Sequence, residues 1–135
     1  LALFLPLQVL LIVCSNQINQ NLYDNLILRG ANVDVLTTYT TLSPKIDVSL
    51  SLNQAQQKKV NLIISTSKAS LDQLVNWFKP LDAHWLFSLP LLVISDKLRA
   101  HAEHHGWPTQ LIIQSPNATT SAIVDTIKNC YPNIS

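Results

Sequence analysis

The sequence predicts a single α/β lobe, a doubly wound five-stranded parallel sheet with helices on both faces, as in flavodoxin-like folds. Two observations lead to this prediction. Five short apolar segments alternate with segments whose apolar residues recur every three to four positions, which is the strand–helix rhythm of a parallel sheet. The length of 135 residues fits one domain, and 47% hydrophobic residues can supply its core.

The first half of the chain supplies three strands and two helices. Residues 8–14 are predicted to be a buried strand after a lead-in at 1–7, because a short apolar run closed by polar residues is typical of a central parallel strand. Residues 46–59 fit both an alternating strand and a polar helix, and we predict the helix. The other elements are a helix at 17–29 capped by Ser15 or Asn16 and ended by Gly30, a strand at 32–39 and a strand at 60–65.

The second half continues the alternation with two strands and three helices. Pro80 is expected to stop the helix that begins at residue 68 at about residue 78, and residues 82–88 are predicted to be a linking stretch. The other elements are a strand at 91–94, a helix at 96–105 ended by Gly106, a strand at 109–113 and a helix at 119–130.

Charge, glycine and cysteine content exclude several classes of function. Nine Lys plus Arg against eight Asp plus Glu leave a net charge of +1, so a basic nucleic-acid binder is not indicated. The apolar start is short and interrupted by Pro6 and Gln8, which argues against a membrane partner. Both glycines are placed at helix ends, so no glycine-rich loop remains and we predict no nucleotide cofactor. Cys14 and Cys130 read as buried free thiols, which suits a reducing cytoplasm.

A histidine cluster near the end of one predicted helix raises the question of a metal site. His101, His104 and His105 share a helix face and surround Glu103, and imidazole groups so arranged can bind zinc. No cluster of Cys or carboxylate residues elsewhere in the sequence completes such a site. We therefore predict a solvated helix face and no metal.

Hydroxyl-bearing residues follow four of the five predicted strands. Ligands of doubly wound sheets bind beyond the carboxyl ends of the strands, where the N–H groups that begin the next helices attract anions. A hydroxyl at such a position either caps its helix or contacts a ligand, and it can do both. The strand ends in question are residues 14–16, 39–41, 65–67, 95–96 and 114–120.

Several short motifs occur in an order and spacing that resemble one enzyme family. The motifs are His84-Trp85-Leu86, Leu91-Leu92-Val93-Ile94-Ser95-Asp96-Lys97-Leu98, Gly106-Trp107, Ile64-Ser65-Thr66-Ser67, the strand at 9–13, Arg29-Gly30-Ala31 within 26–35, and Tyr39. Together they resemble the C-terminal half of uroporphyrinogen-III synthase over about residues 8–130.

The resemblance implies an enzyme of tetrapyrrole synthesis that needs no cofactor or metal. This family cyclises linear hydroxymethylbilane, inverts its ring D and releases water, which yields uroporphyrinogen III. Its full enzyme is longer and has two similar α/β lobes with the substrate between them, so residues 1–135 would form one lobe, corresponding to the second repeat. The chain would then pair with a missing N-terminal half, or exchange its first strands with a second copy in a domain-swapped homodimer.

The same resemblance implies which residues contact the substrate. Tyr39 matches a tyrosine of the family that faces the cleft, where it would assist departure of the hydroxyl group. The expected substrate-binding residues are Thr66, Ser67, Ser95 and Lys97, with Thr119 and Thr120 next.

Two loops depart from the family pattern. Residues 15–21 contain neither the glycines nor the arginine of the family's first loop, and Thr40-Thr41 follow Tyr39 where the family often has arginine. Each lost charge-assisted contact to a polyanion is worth on the order of 1.5–3 kcal/mol. The alternative function is therefore a diverged, non-catalytic α/β binding or interaction module with the same fold.

Overall fold

A computed structural model describes residues 6–14, 19–38 and 47–134 of the chain. The strands are β1 (Val9–Cys14), β2 (Asn32–Thr37), β3 (Val60–Ser65), β4 (Leu91–Val93) and β5 (Ile112–Gln114). The helices are α1 (Gln20–Leu28), α2 (Val48–Gln57), α3 (Lys68–Phe87), α4 (Asp96–His105) and α5 (Thr120–Cys130). All strand pairs are parallel, in the order β2-β1-β3-β4-β5, which is the flavodoxin-like order, so the predicted fold class is confirmed.

Helices cover both faces of the sheet, as expected. On one face α2, α3 and α4 pack on the strands, with Phe78 and Ala102 in that core. On the other face α1 and α5 pack through residues such as Leu26 and Ile127. The central strands β1 and β3 are covered on both sides, and this explains why their sequences are apolar at nearly every position rather than alternating.

Local sequence signals set most of the helix ends. Gly30 (φ +85°) and Gly106 (φ +118°) take the left-handed conformation that ends α1 and α4, as predicted. Asp47 caps α2, which confirms a helix in the ambiguous 46–59 region. The predicted cap of α1 is wrong, because Asn19 accepts a hydrogen bond from Leu22 N at 3.1 Å and the helix begins at Gln20. Ser15 and Asn16 lie outside the described residues.

The predicted helix stop at Pro80 is also wrong. The long helix α3 continues past Pro80 and breaks at Asp82, whose φ of −159° and ψ of 78° are not helical. Asp82 Oδ1 accepts a hydrogen bond from Trp85 N at 3.0 Å, so Asp82 caps a second helical segment. The stretch at 82–88 is therefore largely helix rather than a link, because a capping carboxylate restarts the helix immediately.

Smaller departures from the predicted bounds concern strand ends and one cysteine. β2 and β4 end before the predicted residues, and a 3₁₀ helix at Thr109–Leu111 precedes a shorter β5. Cys14 is a buried free thiol as expected, whereas Cys130 is only partly buried, and that burial raises the pKa of its thiol. Within the described ranges, no helix combines the length and the apolar character that a membrane crossing requires.

The two ends of the described chain meet at the edge of the sheet where the strands begin. Leu7 N donates to Asn133 Oδ1 at 3.2 Å, and Asn133 Nδ2 donates to Leu7 O at 3.1 Å. Asn61 Nδ2 donates to Pro6 O at 2.7 Å beside them. Part of the predicted lead-in is therefore fixed to the lobe, and residues 1–5 lie outside the described part.

Candidate functional site

Three hydroxyl-bearing residues begin helices at the carboxyl edge of the sheet. Ser67 Oγ accepts from Ser70 N at 3.1 Å and thereby caps α3. Ser95 Oγ accepts from Leu98 N at 3.1 Å and caps α4, while Thr119 Oγ1 accepts from Ala122 N at 3.3 Å and caps α5. The capping role that the sequence suggested for these positions is confirmed.

A buried serine cluster holds the start of α3 in place. Ser65 and Ser70 are fully buried, and the hydroxyl of Ser70 lies 2.8 Å from that of Ser67. Ser65 Oγ donates to Ser67 O at 3.2 Å. Because every hydroxyl in the cluster has a partner, the turn from β3 into α3 is fixed, and the adjacent Thr66 is presented at the exposed edge.

A groove of about 550 Å³ lies between the beginnings of α3 and α4. It brings together four of the residues proposed from sequence, which come from two different strand–helix junctions: Thr66, Ser67, Ser95 and Lys97. The side chains of Thr66 and Lys97 have no hydrogen-bond partner among the described residues, so they are available to a ligand.

The groove is lined by basic residues that the sequence analysis did not assign to it. Lys68, in the first turn of α3, lines one wall. His101 and His104 line the other wall together with Lys97. The spacing 97, 101, 104 is that of one helix face, a signal that was present in the sequence. None of the residues that line this groove is acidic, so its surface favours anions.

Thr119 and Thr120 do not join this groove. They line a separate cleft of about 390 Å³ next to α1, on the opposite face of the sheet. There Asn21 Nδ2 donates to Thr120 Oγ1 at 3.0 Å, and Thr119 Oγ1 donates to Asn117 Oδ1 at 2.6 Å. The six expected substrate-binding residues therefore fall into two groups.

Tyr39, the expected catalytic residue, lies outside the described residues. The strand before it ends at Thr37, and Thr38 is buried beside β1. Thr38 Oγ1 and N both donate to Cys14 O, at 3.2 and 2.8 Å, which ties the carboxyl ends of β1 and β2 together. The role of Tyr39 stays a prediction.

A cluster formed by Asp72, His101 and His105, the His–Asp cluster, corrects the expectation of a solvated histidine face. Nε2 of His105 donates to Asp72 Oδ1 at 2.7 Å, and Nε2 of His101 contacts the same oxygen. Of the four residues in the sequence cluster, it is His101 and His105 that contact Asp72. His104 lines the groove, and Glu103 accepts from Thr109 Oγ1. The carboxylate missing from the neighbouring sequence comes from α3, 29 residues from His101.

The electrostatics of this cluster favour an ionised carboxylate. Burial alone raises the pKa of Asp72, but the hydrogen bonds and positive charge offered by His101 and His105 outweigh it. The pKa of Asp72 is therefore lowered from its ordinary value.

Comparison with known proteins decides the family. The family model described as uroporphyrinogen-III synthase HemD matches residues 3–125, which is most of the chain. The chain belongs to the uroporphyrinogen-III synthase family. The resemblance seen in the sequence motifs is thereby confirmed, and both strand–helix junctions of the groove lie within the matched residues.

Comparison with a curated relative shows what share of a family member's length this chain matches. Uroporphyrinogen-III synthase of Escherichia coli (strain K12) is 30% identical over 105 residues, which cover 75% of this chain and 41% of the relative. The chain thus spans less than half the length of a uroporphyrinogen-III synthase that it matches.

Proposed function

We propose that this chain is the substrate-binding C-terminal lobe of a uroporphyrinogen-III synthase, an enzyme that closes hydroxymethylbilane into uroporphyrinogen III with inversion of ring D and loss of water. The observation that supports it most directly is the meeting of Thr66, Ser67, Ser95 and Lys97 in one groove of a chain that belongs to this family. In this proposal the other lobe, supplied by the rest of a longer protein, covers the substrate from the opposite side.

The chemistry of the groove suits the acidic arms of such a substrate. Hydroxymethylbilane carries acetate and propionate groups, so its binding site must stabilise several carboxylates. The hydroxyls of Ser67 and Ser95 accept hydrogen bonds from the N–H groups of the third residue of α3 and of α4, respectively. The first N–H groups of both helices have no intrahelical partners. These N–H groups, with Lys68 and Lys97 beside them, bind carboxylates by charge-assisted hydrogen bonds.

The residues in the groove position the substrate, and the reacting hydroxyl group needs a proton donor elsewhere. We propose Tyr39 for this role, because a phenol can transfer a proton to the departing hydroxyl group as it leaves as water. The free thiols of Cys14 and Cys130 agree with a reducing compartment, and cytoplasmic localisation is part of the same proposal.

The test is a coupled assay of the longer protein that contains this chain. Hydroxymethylbilane is supplied, and the product is separated into uroporphyrin isomers III and I after oxidation. Isomer I forms spontaneously, so an enzyme of this function gives an excess of isomer III over a blank without protein. A product distribution equal to the blank would overturn the enzymatic proposal.

A second candidate function is a binding module that has lost catalysis. It is favoured by the sequence of residues 15–21, which contains no arginine or glycine. The isomer assay combined with calorimetric titration by uroporphyrinogen III separates the two candidates, since a binding module would bind this polyanion without forming isomer III. A protein that forms isomer III excludes this second candidate.

A further inference from the structure

The His–Asp cluster adjoins the groove, yet the function proposed above does not use it. We propose that Asp72, His101 and His105 form a binding site for a divalent transition-metal ion of the zinc class.

Three ligand atoms converge on this site from two helices. His101 and His105 are one helical turn apart on α4, with ring centroids 4.7 Å apart and ring planes at 78°. Nε2 of each ring faces Oδ1 of Asp72 on α3, and the three ligand atoms lie within 4.8 Å of one another. Two imidazoles and one carboxylate form a three-ligand set that leaves one position of a tetrahedral zinc site open.

A small rearrangement of side chains makes room for the ion. Metal–ligand bonds of about 2.0–2.2 Å in a tetrahedral site place neighbouring ligand atoms roughly 3.3 Å apart. The separation of 2.7 Å between His105 Nε2 and Asp72 Oδ1 must therefore lengthen by about 0.6 Å. The side chains of His101, His105 and Asp72 are 21%, 20% and 37% exposed, so they can shift by this amount and solvent ions reach them.

The type of ligand selects the type of metal. Imidazole nitrogen with one carboxylate suits Zn²⁺, Co²⁺, Ni²⁺ and Cu²⁺, whereas Mg²⁺ and Ca²⁺ prefer sites built from oxygen alone. Each Nε2 that now donates a hydrogen bond to Asp72 must release its proton or move it to Nδ1 before it can bind an ion. Water or an anion would fill the fourth coordination position of the ion. His101 belongs both to this site and to the wall of the groove.

A neighbouring histidine, His104, provides an internal control for the proposed site. His104 lies on the same helix, one residue before His105, but it does not contact Asp72. Metal held by surface histidines in general would be lost equally from His104 variants, whereas metal held by the His–Asp cluster would not.

The experiment is a titration of the intact protein with Co²⁺, followed by visible absorption, and a parallel measurement of Tm with Zn²⁺. We expect the intense absorption of four-coordinate Co²⁺ without a sulfur-to-cobalt band, because neither cysteine belongs to the cluster. A hundredfold excess of Zn²⁺ over its Kd should raise Tm by roughly 5–10 °C. Absence of both signals in the wild-type protein would overturn the proposal.

Matched variants locate the site. His101→Gln and His105→Gln keep a side chain that can hydrogen-bond to Asp72 but remove a ligand, so each should abolish the cobalt spectrum while leaving the circular dichroism unchanged. His104→Gln should retain it. Retention of the spectrum in both ligand variants, or its loss in His104→Gln alone, would contradict the assignment. The isomer assay needs no added metal, so failure here leaves the proposed function standing.

Discussion

The groove between α3 and α4 and the cleft between α1 and α5 begin from the same local chemistry and differ in what surrounds it. Ser67, Ser95 and Thr119 all cap helices at the carboxyl edge of the sheet. In the groove the next helical turns add Lys97 and two histidines, and the lining contains no acid. In the cleft the hydroxyls bond to neighbouring asparagines, and Asp125 lies among the lining residues. A capping hydroxyl therefore predicts a helix, whereas basic side chains on the same face of that helix predict an anion site.

The largest difference in KM between the two faces of the sheet is expected when one lysine on each face is replaced by glutamine. Lys97→Gln removes a charge that the proposal places against a substrate carboxylate, so KM for hydroxymethylbilane in the longer protein should rise tenfold or more, in keeping with about 1.5–3 kcal/mol for a charge-assisted contact. Lys128→Gln, in the last turn of α5, should leave KM unchanged. Steady-state kinetics of isomer III formation measure both.

An unchanged KM in Lys97→Gln would show that the substrate does not bind in the groove. An equal rise in both variants would mean that overall charge, rather than the groove, attracts the substrate.

A smaller effect separates capping from ligand contact. Ser95→Ala and Thr119→Ala each delete the hydroxyl that caps a helix, so each should lower the free energy of unfolding by about 1 kcal/mol. Urea denaturation of the purified protein measures this change. Only Ser95→Ala should also raise KM, since Ser95 lines the groove and Thr119 does not. A rise in KM for Thr119→Ala but not for Ser95→Ala would show that the substrate binds in the cleft rather than in the groove.

The smallest effect concerns the hydrogen bond that spans the cleft. Asn21→Ala removes the 3.0 Å contact to Thr120 Oγ1, which is exposed to solvent on both sides. We expect a loss of about 0.5 kcal/mol in unfolding free energy, at the lower limit for a hydrogen bond, and no change in KM. Thermal denaturation beside Asn53→Ala, an exposed control on α2, measures it. A loss several times larger would show that the cleft is a rigid part of the lobe.

The elements of the fold were predictable because their signals are local. Apolar runs give the strands, and Gly30 and Gly106 mark two helix ends through a conformation that other residues avoid. The errors arose where two local signals competed. Pro80 predicts the end of a helix, but the carboxylate of Asp82, three residues before Trp85, caps a new helical segment directly after it.

The site was predictable only in part, because its residues meet through tertiary packing. Resemblance to the family predicts Thr66, Ser67, Ser95 and Lys97 as substrate-binding residues, and the structure brings these four together in the groove, where their binding role stays a proposal. The partner of His101 and His105 could not be found in this way, since Asp72 reaches them only because α3 packs beside α4. No periodicity or motif within either helix contains that information.

The reciprocal hydrogen bonds between Leu7 and Asn133 have a practical consequence for engineering. They bring the beginning and the end of the described lobe side by side, at the edge of the sheet opposite to the groove. A short peptide linker would join these ends, and new termini could be opened in a surface loop, as circular permutation requires. A fluorescent reporter fused beside Leu7 and Asn133 would lie on the side of the lobe away from the groove.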